Sequence, residues 1–330
     1  MRQSDRETRV FDPALGFAPL VDVIEVTDST LACRGDRWWM YLAGEAAGHE
    51  GIRLFSASLP AGAPLGAHGW RLTPDPGDPT RIALLAESRA SAAWNLRGGR
   101  HCPCYVKGFD PGCGAWVERV YYAGAPETPW GPYRIGFLER DGERWREQAE
   151  PVFAAVEDWE RGSVFEPNVL YAEGRWKMWY VAGSNADDYL VHGFSESLDG
   201  RGGWSVHRRF STPEEKLFDF SVQPVRGGYE AVFSRVWVAK SEAPPATGLW
   251  WCRCDTPSSD RAQWSEPVQI LTAAERGWHA GPWKPSWRYS ESDPDRLLVF
   301  FDGSYRKDEP GGFPFAFTLG CLETDRPASG

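Results

Sequence analysis

One pattern recurs five times along the 330 residues. A strand-like stretch meets a polar turn, and an aromatic-rich stretch follows that ends in small residues. The clearest copy is Gly162 to Gly183. Val164 to Leu170 reads as an inner strand packed on both sides. Ala172-Glu173-Gly174-Arg175 is a tight turn, and Trp176 to Val181 is a second strand, closed by Ala182-Gly183. The other copies are Thr27–Gly44, Cys102–Gly124, Ser221–Ser234 and Lys284–Gly303. Each is a β-hairpin, and equivalent aromatics recur at roughly 55 to 80 residues, the size of a blade with its loops.

After most hairpins comes a third strand, then a polar outer stretch with a tryptophan. Tyr133–Leu138 leads to Trp145, Leu190–Ser195 to Trp204, and Leu249–Cys254 to Trp264. The pattern predicts an all-β chain: a five-bladed β-propeller with four antiparallel strands per blade, its inner strands starting near residues 28, 103, 166, 222 and 285. A β-sandwich leaves the repeated order unexplained. The repeats run from near residue 20 to near 325, so residues 1–330 make one domain. The Pro/Gly-rich segment within 59–95 reads as a surface loop.

Composition narrows the partners. With a formal net charge of −10, a nucleic-acid partner is not expected, because phosphate binding needs a basic surface. The charged N-terminus carries no export signal, and no apolar run approaches the length of a membrane span. Seven cysteines, an odd number without that signal, suggest free thiols in a reducing cytoplasm.

The chemistry starts with Glu166, beside Pro167 near the start of a strand that otherwise looks buried. A carboxylate there is costly unless it is paired, hydrogen-bonded or reactive. Asp28 falls at the equivalent place in the first hairpin. With Asp28-Ser29-Thr30-Leu31 running to Gly35, and with Glu166-Pro167, the chain resembles the five-bladed propellers of the glycoside hydrolase clan around family 43, the arabinanases and xylosidases, with related sheets in the invertase/levansucrase and mannoside-phosphorylase families. The resemblance implies a sugar-binding axial funnel, Glu166 as the acid and Asp28 as the opposite carboxylate. The family also places an Asp after a Pro in the second blade. Here Pro103 is followed by Cys104, a thiol without the charge that would keep a neighbouring acid protonated.

Other residues are expected on the funnel wall as substrate contacts. Arg100, His101 and Cys104 lie before and within the second inner strand, Asn168 in the third, and Asp219 and Gln223 in the fourth. His279, Trp283, Lys284 and Arg288 lead into the fifth, where Trp283 would stack on a flat ligand and Lys284 or Arg288 would hold an anion. Cys102-Pro103-Cys104 lacks the usual zinc spacing, so no metal and no cofactor are expected there. The leading functional reading is a glycoside hydrolase-like enzyme acting on a small glycoside or oligosaccharide. The alternatives are a repurposed propeller enzyme performing other acid–base chemistry, such as dehydration or cyclisation, and a non-catalytic ligand-binding propeller. The separation of the Asp28 and Glu166 carboxyls discriminates between stereochemical outcomes: about 5–5.5 Å for retention and about 6.5–9.5 Å for inversion.

Overall fold

A computed structural model describes residues 6–86, 93–95, 99–128, 131–184, 189–205, 207–235, 247–272, 280–304 and 317–328. The chain is all-β, and five four-stranded antiparallel sheets form a five-bladed propeller. The inner strands are Val23–Arg34, Gly99–Asp110, Val164–Ala172, Leu217–Val225 and Ala280–Tyr289, here blades I to V. In blade V the outermost strand is Arg6–Phe11, from the other end of the chain, paired with Thr318–Asp325. The N-terminal segment thus closes the ring.

Each sheet hides its faces only against its neighbours, and the aromatic residues do most of that filling. Trp176, Tyr121 and Phe137 pack between blades II and III. Trp179, Phe220 and Trp264 pack between III and IV, and Trp251 with Trp287 between IV and V. These seams are tight. A Cβ on Gly108 would stand 2.7 Å from the Trp176 ring. Trp145 lies in an outer strand, Arg144–Glu147, as the sequence suggests. Trp204 and Trp264 do not; the outer strands of their blades are Arg208–Arg209 and Val268–Thr272. Both tryptophans sit in the connection before that strand and turn inward onto the aromatic seam, which buries more of the ring than an edge position would. Within the segment 59–95, Pro74–Asp75 and Asp78–Ile82 form a small separate hairpin. Among the described residues no helix is long and apolar enough to cross a membrane.

One backbone irregularity repeats in every blade. The register of each inner strand slips near its start, between Thr27 and Thr30, His101 and Cys104, Phe165 and Asn168, Phe218 and Ser221, and Trp283 and Ser286. At each slip one non-glycine residue has left-handed φ: Asp28 at 49°, Cys102 at 54°, Glu166 at 49°, Asp219 at 57° and Lys284 at 45°. Such a conformation costs on the order of 1–3 kcal/mol for a side-chain-bearing residue, and bulges of this kind re-aim a side chain. The propeller bears that strain five times around one axis.

Candidate active site

The five bulge residues form a ring around the axis, tied together by hydrogen bonds from blade to blade. The Cys102 N–H donates to Asp28 Oδ2 at 2.9 Å, and the Lys284 N–H donates to Asp219 Oδ2 at 2.7 Å. Lys284 has no acceptor to offer blade I. Asp302, which lies opposite Trp283 in the sheet, supplies it: the Asp28 N–H donates to Asp302 Oδ2 at 2.5 Å. Side chains close the ring further. The Cys102 thiol donates to Glu166 Oε1 at 2.7 Å, and Lys284 Nζ lies 3.1 Å from Glu166 Oε2. Lys284, Glu166, Asp219 and Cys102 are buried, while Asp28 is half-buried.

The crowding of carboxyls sets their protonation. Burial, then the Glu166 charge, pushes Asp28 up to about 6. Burial and Glu166 also drive Asp219 well above the carboxylate range, and burial and Asp28 do the same to Asp302. Burial thus favours the neutral form of both acids. Glu166 moves the other way: burial opposes ionisation, but the Lys284 ammonium and hydrogen bonds from Asp219, Cys102 and Lys284 outweigh it and hold the group below its usual value. Lys284 is correspondingly held above the ordinary lysine range by Glu166, against the effect of burial. The ring thus holds one ionised carboxylate, Glu166, next to one poised near neutrality, Asp28. One donor atom each from Asp28, Cys102 and Glu166 lies within 4.8 Å of the others. A cation could use such a triad, but the Lys284 ammonium already supplies positive charge to Glu166. Burial, followed by the Glu166 and Asp28 charges, keeps the Cys102 thiol protonated.

A layer of aromatic residues lies over the ring. His101, Phe165, Phe218 and Trp283 each directly precede a ring residue. His101 meets Tyr133 edge-on at 5.6 Å, Tyr133 meets Phe165 at 5.1 Å, Phe165 meets Phe218 at 6.1 Å, and Trp283 meets Phe317 at 5.7 Å. Trp283 is half-buried. Below the ring runs a narrow axial cavity whose wall includes Glu166, Asn168, Asp219, Gln223, Lys284 and Arg288.

Asp28, Glu166, Asp219 and Lys284 come together in the ring, with His101 and Trp283 in the layer above it. Asn168, Gln223, Arg288 and Cys104 line the cavity below. The second-blade position belongs to Cys102 rather than to Cys104, because the slip between His101 and Cys104 turns Cys102 to the axis. Cys104 packs in the seam between blades II and III, where its sulfur accepts from the Val169 N–H at 3.2 Å. Arg100 is not a funnel residue. It is buried against Glu147, with Nε 2.6 Å from Oε1, and holds blade II together. His279 lies outside the described residues. All seven cysteines are free.

Two acids escaped the sequence reading. Asp302 is on a second strand and reaches the ring only through its pairing opposite Trp283. Glu25 is buried with Oε1 unpartnered, and burial, then Glu45, raises it to about 8. A signal for the ring does exist in the sequence. In three blades the bulge residue directly precedes a proline, in Cys102-Pro103, Glu166-Pro167 and Lys284-Pro285.

No protein-family model and no curated protein matches the sequence. Solved structures do match the fold. A thermostable family-43 glycoside hydrolase superposes with a TM-score of 0.60 at 15% identity, over 95% of this chain and 98% of that one. The catalytic domain of the Coprinopsis cinerea GH62 alpha-L-arabinofuranosidase superposes with a TM-score of 0.62 at 12% identity, over 97% of each chain. An alpha-L-arabinofuranosidase from Lactobacillus brevis gives 0.61 at 11% identity, over 94% of each. The fold is that of these glycoside hydrolases.

Proposed function

We propose that this glycoside hydrolase-like propeller is an enzyme that cleaves a small glycoside or oligosaccharide at the axial ring by double displacement, with Glu166 as nucleophile and Asp28 as acid/base. One observation carries the reading: two carboxyls with donor oxygens no more than 4.8 Å apart are pushed to opposite protonation preferences. Two carboxyls whose environments drive their pKa values apart are suited to different roles in one reaction. Their closeness fits the roughly 5–5.5 Å of retaining enzymes better than the roughly 6.5–9.5 Å that leaves room for an inverting water.

In this mechanism Lys284 holds Glu166 Oε2 and leaves Oε1 to attack the anomeric carbon. Substrate binding displaces the Cys102 thiol from Oε1, and the thiol keeps its proton. Asp28, the more exposed of the two carboxyls, protonates the departing glycosidic oxygen and is left as a carboxylate. It then takes a proton from water as that water attacks the glycosyl–Glu166 ester, which releases the sugar with its original anomeric configuration. The expected pH–rate profile falls as pH rises through about 6, where Asp28 loses its proton, and falls at acid pH where Glu166 gains one. The half-buried face of Trp283 would stack on the sugar.

A panel of aryl glycosides, with the product anomer followed by proton NMR, tests the proposal. Cleavage with retention, lost in Asp28→Asn and Glu166→Gln, is expected. Inversion would reject the role given to Glu166. Cleavage that persists in both variants, or no cleavage of any glycoside by a folded protein, would reject the enzyme reading in favour of other ligand chemistry.

A further inference from the structure

Below the ring, the axial cavity changes character. Around the ring it is carboxylate-rich, but four residues further along the blade V strand the cationic group is Arg288, and the walls at that level carry neutral groups. Arg288 is half-buried, and the hydrogen bond found for its guanidinium is from Nη1 to the Trp287 carbonyl at 3.0 Å. Among the described residues no carboxylate forms an ion pair with it, and Glu166, the ionised carboxylate of this cavity, is taken by Lys284. Burial without a countercharge pulls the guanidinium down to about 10.

The neighbouring polar groups offer hydrogens. Asn168 Oδ1 accepts from the Val222 N–H at 2.9 Å, so its amide NH₂ remains to donate. Thr30 Oγ1 accepts from the Tyr105 N–H at 3.1 Å, which leaves its hydroxyl proton for another acceptor. Ser29 and Ser286 share one hydrogen bond at 3.0 Å, so one of their two hydroxyl protons is left over. Ser221 and Gln223 line the same space. Cys104, which reaches the cavity wall from the seam between blades II and III, is raised by burial and stays a neutral thiol, so it brings no negative charge. The cavity is therefore rich in donors around the Arg288 cation, and the ionised carboxylate on its wall, Glu166, is neutralised by Lys284. The whole cavity, with Glu166 and Lys284 on its wall as well as Arg288, has an open interior of about 20 Å³, room for one water-sized particle and too little for a sugar ring.

We propose that this lower chamber binds one small monovalent anion of chloride size, held by Arg288 with the Asn168 amide and the free hydroxyls around it. The anion completes the charge balance of the axis from the side opposite the ring. The assignment does not depend on the enzymatic reading, since it rests on cavity residues other than Asp28 and Glu166.

The test uses the full chain and bromide as the probe. Crystals soaked in sodium bromide should show an anomalous peak in the axial chamber beside Arg288. At constant ionic strength, replacing gluconate, which is too large to enter, with chloride or bromide should raise the melting temperature by about 4 °C once the halide reaches a hundredfold excess over its dissociation constant. Arg288→Gln should abolish both the peak and the halide-dependent shift. If that variant does not fold, the wild-type peak and the halide-over-gluconate shift decide alone. Water without anomalous signal in the chamber, bromide on exterior sites only, or equal melting temperatures in chloride and gluconate would overturn the proposal.

Discussion

Replacing Lys284 with methionine removes the ammonium that neutralises Glu166 while keeping an apolar stem of similar length. In the native ring the two charges are 3.1 Å apart and each side chain is 8% exposed. At an effective dielectric constant of about 20, Coulomb's law gives an attraction of about 5 kcal/mol at that distance. Measured losses on breaking buried pairs run at about 3–5 kcal/mol, because the remaining charge is stranded. The variant should therefore lose about 3–5 kcal/mol at pH 8. The pH dependence is the sharper part. In the wild type Glu166 lies below its unfolded value. Its contribution is present above about pH 4.5 and is lost as pH falls through the folded pKa. Without Lys284, burial and the Asp28 charge push Glu166 above the unfolded value, so the variant gains stability on acidification from pH 8 to pH 5. Urea unfolding at several pH values reads both effects. The double variant Lys284→Met with Glu166→Gln, which strands no charge, should regain most of the loss. Equal stability of Lys284→Met and wild type at pH 8, or a parallel pH dependence, would refute the reasoning.

On an aryl glycoside that the wild type cleaves, Asp28→Asn and Glu166→Gln should each lower turnover by about a hundredfold or more, the scale of acid–base and nucleophilic groups, as steady-state kinetics would show. Cys104→Asp should lower stability by about 2 kcal/mol or more in urea unfolding, because it puts a carboxylate into the seam beside Val169, whereas Cys102→Asp adds a charge to the ring and should move the alkaline limb of the pH–rate profile upward. Asp302→Ala leaves the Asp28 N–H without its acceptor and should cost about 1–3 kcal/mol by thermal or urea unfolding.

The five hairpins were legible because each blade must alternate turn residues with apolar and aromatic strands, and that need leaves a period in the sequence. Glu166 and Asp28 were legible for a related reason: charge at the start of an apolar strand has no packing explanation. Cys102 was harder to see. Strand alternation would turn Cys102 and Cys104 to the same face, and only the slip between His101 and Cys104 separates them. Arg100 looked like a funnel residue because it precedes that strand, but its partner Glu147 comes from the blade's outer strand, a pairing set by tertiary contact. The ionised state of Glu166 was out of reach for the same reason. It depends on Lys284, 118 positions later in the chain and brought to 3.1 Å by closure of the ring. Asp302 and Glu25 leave no periodic mark, since each owes its shifted acidity to burial in a particular place.

The account turns on the protonation of two carboxyls, and a carbon-13 carboxyl NMR titration of Asp28 and Glu166, assigned with Asp28→Asn and Glu166→Gln, measures it without any substrate. The structure predicts that Asp28 titrates near 6 and Glu166 below its ordinary value of 4.5. A Glu166 that titrates above Asp28 would contradict the ion pair with Lys284 and, with it, the roles assigned to both residues.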